Sequence, residues 1–203
     1  MAWRFFTAGG VAKTGEYVEL AANAVTSAKI LDGTIVNDDI DDGTITNAKL
    51  ATPGIVVQRV NTQTGAVATG TTVMPIDDTI PQITEGDQYM SLAITPKNAL
   101  NVLVINVTWY GSINVGGTIL MGLFVGSTAN ALAAVAVAPG AANYNDSLLL
   151  QHSVVAGTTA GLTFRVRVGT NSAATTIFNG RVSATRIFGG VSASSITITE
   201  FTP

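Results

Sequence analysis

Between residues 20 and 55 an apolar side chain recurs at every fifth position: Leu20, Val25, Ile30, Ile35, Ile40, Ile45, Leu50 and Ile55. Neither regular element has that period. On an α-helix a step of five residues rotates about 140° and builds no stripe. On a strand an odd step moves the side chain to the opposite face. The chain must therefore change direction between apolar residues, and Asp32-Gly33-Thr34 and Asp42-Gly43-Thr44 supply turn chemistry for it. One copy of such a segment is too short to stack on itself and bury its apolar row, so the row needs neighbours. Three copies around an axis bury each layer against its symmetry mates. The pattern predicts an intertwined, homotrimeric stalk over residues 20–55 whose core is that apolar row.

Downstream the pattern changes. From residue 56 to 203, short apolar runs alternate with Gly, Asn, Thr, Ser and Pro at intervals of about 8–12 residues, the signature of an all-β sandwich or barrel. The expected strands are 67–74, 88–95, 101–109, 118–125, 131–136, 146–152, 162–168, 175–179, 181–187 and 195–201. In 163–168, Phe164, Val166 and Val168 face one way and Arg165 and Arg167 the other. In 195–201, Ile196, Ile198 and Phe201 are expected to share a face. Residues 98–145 carry no charged side chain, and 100–109 reads apolar on both faces, as strands covered on both sides do. The second cover is expected from another subunit.

The first 19 residues form a separate arm with Trp3, Phe5 and Phe6 among glycines. It is too short for a core, and exposed aromatics on an arm mark a docking element.

Composition narrows the function. Charged residues are only 11% of the chain, against roughly 25% in an ordinary soluble domain. A surface of Thr, Ser, Asn and Gly, or one hidden between subunits, is implied. The net charge of −3 offers no basic footprint for nucleic acid. No apolar run approaches the ~20 residues of a membrane span, and no secretory signal pattern opens the chain. Cysteine is absent and His152 is the only histidine, which removes disulfides, thiolate chemistry and a multi-histidine metal site.

The repeat AVTSAKILDGTIVNDDIDDGTITNAKL resembles the stalk repeats of bacteriophage fibre proteins, and the domain after it resembles the trimeric, TNF-like jelly-roll heads that cap such fibres, with a last strand of the Ser-Ser-Ile-Thr-Ile-Thr-Glu-Phe kind. The resemblance implies a homotrimer on the virion surface, made in the host cytoplasm. Its N-terminal arm would hold it to other capsid or tail proteins, and its C-terminal head would be displayed for adhesion to the host, with surface glycans as a partner. Tail fibre, head fibre and capsid decoration without a specific receptor all fit it. It implies no catalysis, cofactor or metal.

A glycan-hydrolysing spike is the competing reading, because paired carboxylates cleave glycosidic bonds. Acidic residues cluster at Asp38, Asp39, Asp41 and Asp42, and again at Asp77, Asp78, Glu85 and Asp87. Adjacent aspartates in turn-rich sequence are ordinarily solvated turn formers, and the first set lacks the ligand spacing of an EF-hand. His152 has no Gly-x-Ser-x-Gly partner motif and reads as structural. The Gly-rich 111–117 lacks the Lys-Ser/Thr of a phosphate loop and reads as a hairpin turn. Trp109 reads as core, while Tyr110 and Tyr144 are placed where an aromatic face can meet a sugar.

Overall fold

The computed structural model describes residues 5–6, 12–13, 25–41, 44–45 and 54–203. Trp3, Leu20 and Leu50 lie outside these. The chain divides into two compact units, Met1–Leu50 and Ala51–Pro203.

In the first unit, β1 (Phe5–Phe6) and β2 (Ala12–Lys13) form a short antiparallel pair, Phe5 opposite Lys13 and Phe6 opposite Ala12. Beyond it the five-residue period has a direct physical basis. Backbone hydrogen bonds run from the N–H of Lys29 to the carbonyl of Thr26 (2.8 Å), from Thr34 to Leu31 (3.1 Å), from Asp39 to Val36 (3.0 Å) and from Thr44 to Asp41 (3.1 Å). A tight turn thus closes every five residues, each beginning one residue after an apolar position. Two of these turns are 3-10 in form, at Ser27–Lys29 and Asn37–Asp39. The sequence assigned the turns to the Asp-Gly-Thr triplets alone, but they also form midway between them. Side chains lock them: the hydroxyls of Thr34 and Thr44 donate back to Leu31 O and Asp41 O (2.6 and 2.7 Å), and Asp39 Oδ2 accepts the N–H of Val36 (3.0 Å). Gly33 sits at φ +80°, which favours glycine.

The second unit is a jelly roll. One antiparallel sheet has the order β3 (Val56–Thr64), β14 (Ser194–Phe201), β6 (Val102–Ile113), with β9 (Asp146–Val155) on the other edge of β6. The far end of β6 also carries β11 (Thr176–Phe178) and then β4 (Ala68–Gly70). The other sheet has the order β5 (Asp87–Ile94), β10 (Leu162–Thr170), β7 (Ile119–Val125), β8 (Ala133–Val137). That is the strand order of two interleaved Greek keys, so the all-β fold class read from the sequence is the one observed. The alternating side chains meet between the sheets: Leu103, Ile105, Val107 and Trp109 of β6, Ile196 and Ile198 of β14, Phe164, Val166 and Val168 of β10, and Ile119, Met121 and Leu123 of β7.

Three expectations change. Phe201 does not share the isoleucine face. Glu200 does, since alternation puts even positions of β14 inward, and Phe201 turns out. Residues 56–64 form a nine-residue strand that the sequence did not announce. Opposite the buried face of β14 it presents Gln58, Val60, Thr62 and Thr64, with only one apolar residue to signal it. Residues 181–187 are not one strand. They contain a small hairpin of β12 (Gly180–Arg181) and β13 (Thr185–Arg186).

The charge-free stretch also holds a strand whose surroundings the sequence did not show. β7 is buried on both faces, and its second cover comes from the chain itself. The segment 72–86 lies over β10 and β7. Met74 N–H donates to Thr170 O (3.0 Å), and Arg167 donates to the carbonyls of Glu85 (2.9 Å) and Gly86 (2.7 Å). Met74 of this segment and Phe124 of β7 are completely buried. A Cβ at Gly169 would lie 2.6 Å from Thr72 O and 2.9 Å from Met74 N, so only glycine lets the strap approach. On β6, by contrast, the second face carries Val102, Val104, Asn106, Thr108 and Tyr110 and is open in a single chain.

Candidate functional site

Three features bear on function, and they are built differently. The first is the apolar row of the N-terminal unit. In one chain Val25, Ile35 and Ile45 are 53–54% exposed and Ile30 and Ile40 are 41% exposed. The turns bring each to the surface at the same point of the five-residue cycle and leave it about half exposed. Ile55, the last of the row, belongs to the second unit, where its backbone pairs with Thr202. Phe5 and Phe6 lie in the β1–β2 pair.

The second is the outward face of β9, β6, β14 and β3. Strand register sets its side chains in rows. Val155, Val102, Phe201 and Val56 form an apolar row where the chain enters the jelly roll. Further along, Gln151, Asn106, Thr197 and Asn61 form a polar row, with Asn61 Nδ2 donating to Thr197 Oγ1 (2.7 Å). Leu149 stands beyond it, 68% exposed.

The third is the opposite end of the jelly roll, where the loops 65–67, 114–118, 138–145, 171–175 and 179–193 converge. Among the described residues, five non-glycine residues adopt positive φ, and all five are here: Asn143, Asn179, Ser183, Ala184 and Phe188. Such backbone costs roughly 1–3 kcal/mol per residue and collects at functional sites. Asn179 is buried and pins three chain segments. Its amide donates to Thr64 O (2.7 Å) and Ala66 O (3.1 Å), and its carbonyl oxygen accepts from the N–H and hydroxyl of Ser194 (3.0 and 2.7 Å). The β12–β13 turn closes with Thr185 N–H on Val182 O (3.2 Å), with Ser183 and Ala184 both at φ +57°. A type I′ turn requires that geometry, and Asn-Gly is its usual sequence. Ser183→Asn combined with Ala184→Gly is therefore expected to stabilise the domain by about 1 kcal/mol or more, read as a higher denaturation midpoint.

The polar groups singled out in the sequence are placed separately. Asp77 accepts from the N–H and hydroxyl of Thr79 (2.8 and 2.5 Å), bonds that hold its carboxyl below the ordinary aspartate value. Asp87 accepts from the N–H and hydroxyl of Thr72 (both 2.8 Å), and Glu85 from the N–H of Gln82 (2.9 Å). Each carboxylate holds a turn or the strap. His152 stands on β9 opposite Ile105, half-buried. Trp109 is fully buried beside Tyr89 and Phe178, its indole N–H without a hydrogen-bond partner. Tyr144 is 59% exposed, with the Arg181 guanidinium 5.7 Å from its ring centre. Among the described residues no three acidic or histidine side chains group as metal ligands do, and no helix is long and apolar enough to cross a membrane.

Glu200 is a polar site that strand periodicity concealed. It is 0% exposed and accepts from Gln58 Nε2 (2.5 Å), Asn101 Nδ2 (2.6 Å), Lys97 N–H (2.7 Å) and Asn98 N–H (3.4 Å). Burial alone would raise its pKa. The bonds from Asn101, Gln58, Lys97 and Asn98 outweigh that and hold it below the ordinary glutamate value. A carboxylate with a depressed folded pKa contributes stability that is full above the unfolded pKa and lost as pH falls through the folded one. The melting temperature is therefore expected to drop as pH is lowered through and below the glutamate range. Glu200→Gln should melt lower at pH 7 and show a flatter acid slope, because its amide N–H₂ meets donors.

No family model matches the chain, and no curated protein sequence matches it. Among solved structures, Eiger TNF from S. frugiperda aligns at 10% identity and a TM-score of 0.38, over 70% of this chain and 92% of that one. Dimeric latent PorU from Porphyromonas gingivalis aligns at 6% identity and 0.35, over 75% of this chain and 14% of that one. A structure of infectious bursal disease virus, Gx strain, aligns at 12% identity and 0.33, over 72% and 41%. These likenesses are loose, and the strand order above defines the fold independently of them.

Proposed function

We propose that this protein is a homotrimeric structural fibre of a bacteriophage virion, attached through its N-terminal arm and presenting its jelly-roll domain for adhesion to the host surface. The carrying observation is the row of valine and isoleucine side chains that a turn every five residues leaves exposed. In a single chain they stay 41–54% exposed, and full burial of a valine or isoleucine side chain contributes up to roughly 1.5–3 kcal/mol. The resemblance of the repeat to phage fibre stalks points the same way. The apolar row of Val155, Val102, Phe201 and Val56 gives the jelly roll a matching face for its sister subunits. Trp3, Phe5 and Phe6 supply the docking element on other virion proteins, and three copies convert modest single-arm affinity into firm attachment.

A chain lacking residues 1–19 is expected to assemble but not to join particles that lack the native protein. Normal decoration by the truncated chain would overturn the assignment of the attachment end. A hydrolytic spike is the second reading, favoured by a cleft of about 400 Å³ that Asp77 and Asp78 border together with Ile80, Pro81 and Ala134. Release of reducing ends from host surface polysaccharide by the purified protein would establish it in place of simple adhesion.

A further inference from the structure

At the strained end of the jelly roll lies a second cleft of about 380 Å³, near the lower bound of small-molecule sites. Its polar lining is made of uncharged groups only: Thr69, Asn114, Asn143, Thr175 and Ser183. Ile177, Val182 and Ala184 give it apolar patches. Three of its lining residues, Asn143, Ser183 and Ala184, are among the five non-glycine residues at positive φ.

The walls are fixed by backbone bonds and by the amide oxygen of Asn114. Asn114 N–H donates to Thr175 O (3.1 Å) while Asn114 Oδ1 accepts the N–H of Thr175 (2.8 Å). Asn143 N–H donates to Ile113 O (2.6 Å), and Arg181 Nε donates to Asn143 O (2.8 Å). Ser112 and Asn145 both donate to Gly180 O (3.1 and 2.8 Å), which holds the hairpin that carries Ser183. The side chains of Asn143, Ser183 and Thr69 enter none of the hydrogen bonds among the described residues of these loops. The cleft therefore offers amides and hydroxyls beside short apolar surfaces, with its backbone held in conformations that an unconstrained loop would relax.

We propose that this cleft is a carbohydrate subsite that takes one or two residues of an uncharged glycan. Amides and hydroxyls pair with sugar hydroxyls as donors and acceptors alike, and Ile177, Val182 and Ala184 suit the C–H face of a pyranose. The absence of charged side chains from the lining selects against acidic sugars. This assignment rests on the adhesive reading of the jelly roll and adds the place and class of its ligand. A single site of this size binds weakly, and three copies on one fibre raise the avidity.

The test is saturation-transfer NMR on the full chain. Its probes are methyl glucoside, methyl galactoside, methyl mannoside, N-acetylglucosamine and, as the acidic comparison, sialic acid. At least one neutral sugar is expected to receive saturation and sialic acid none. Thr69→Trp, which fills the cleft from an edge strand, and Asn143→Gly, which suits φ +63° and removes the carboxamide with its methylene, should each weaken that binding at least tenfold with the melting temperature kept. Ala134→Trp, in the cleft beside Asp77, should leave it unchanged. Saturation of no neutral sugar, or binding that persists in Thr69→Trp, overturns the assignment. Labelled protein that adheres to host cells equally well with and without Thr69→Trp would also overturn it, yet leave the adhesive reading intact. Protein that binds a neutral sugar in this cleft but adheres to no host cell would support the subsite and sink the adhesive role.

Discussion

Replacing Ile35 and Ile40 with aspartate is expected to abolish assembly of the N-terminal unit, whereas replacing Asp32 and Asp38 with asparagine should leave it intact. Ile35 and Ile40 stand one residue before successive turns, and in a single chain they remain 53% and 41% exposed. In a trimer each position meets itself around the axis. Three aspartates at one layer then bring like charges together out of water, an arrangement that costs several kcal/mol per buried unpaired group. Asp32 and Asp38 are exposed in the turns, and asparagine keeps their turn-forming chemistry. Size-exclusion chromatography with light scattering reads both variants. If the two double substitutions melt alike and keep the same mass, the isoleucines do not lie on an axis.

The second large effect is expected in the jelly roll. Trp109→Ala should cost about 3–5 kcal/mol, a large share of the roughly 5–15 kcal/mol that a domain has in total. The indole is fully buried, with the rings of Tyr89 and Phe178 6.5 and 6.4 Å away and those two stacked at 5.0 Å. Tyr89 is itself committed to the interior. Burial pushes its phenol to about 12, and its hydroxyl bonds Thr176. Removing the tryptophan leaves a void beside this stacked pair, and the bond to Thr176 holds Tyr89 back from filling it. Trp109→Phe should cost clearly less, since it keeps a ring and removes an indole N–H that has no partner. Urea unfolding at fixed protein concentration compares them, because assembly makes the midpoint concentration-dependent. Equal losses for the two variants would show that ring packing is not what Trp109 contributes.

The sequence displayed the fold wherever one face of a strand was apolar and the other was not. Arg165 and Arg167 alternating with Phe164, Val166 and Val168 identified β10 and its inner face. It was silent where the inward face was polar. β3 turns Gln58, Thr62 and Thr64 inward, and Gln58 does so because Glu200 waits there as a buried acceptor. That pairing spans 142 residues and leaves no local trace. The reading of double cover fell on 100–109, that is on β6, whose outward face is open in a single chain; the strand covered twice within the chain is β7, and its cover is the strap 72–86, whose Pro, Asp and Thr content gave no hint of a buried Met74. At the strained end of the domain the signal was inverted. A Ser-Ala pair carries a turn that Asn-Gly normally makes, so the residues that mark the cleft are those a turn rule passes over. The five-residue period was fully visible, and the turns that cause it lie one step from each apolar residue.

Native mass spectrometry of the purified chain at micromolar concentration tests the central claim most directly. A single species at three times the chain mass of 20.8 kDa is expected, its assembly weakened by the Ile35→Asp, Ile40→Asp substitution. A species at the mass of one chain would contradict it, because the apolar row of the N-terminal unit and the open face of β9, β6, β14 and β3 would then have no cover.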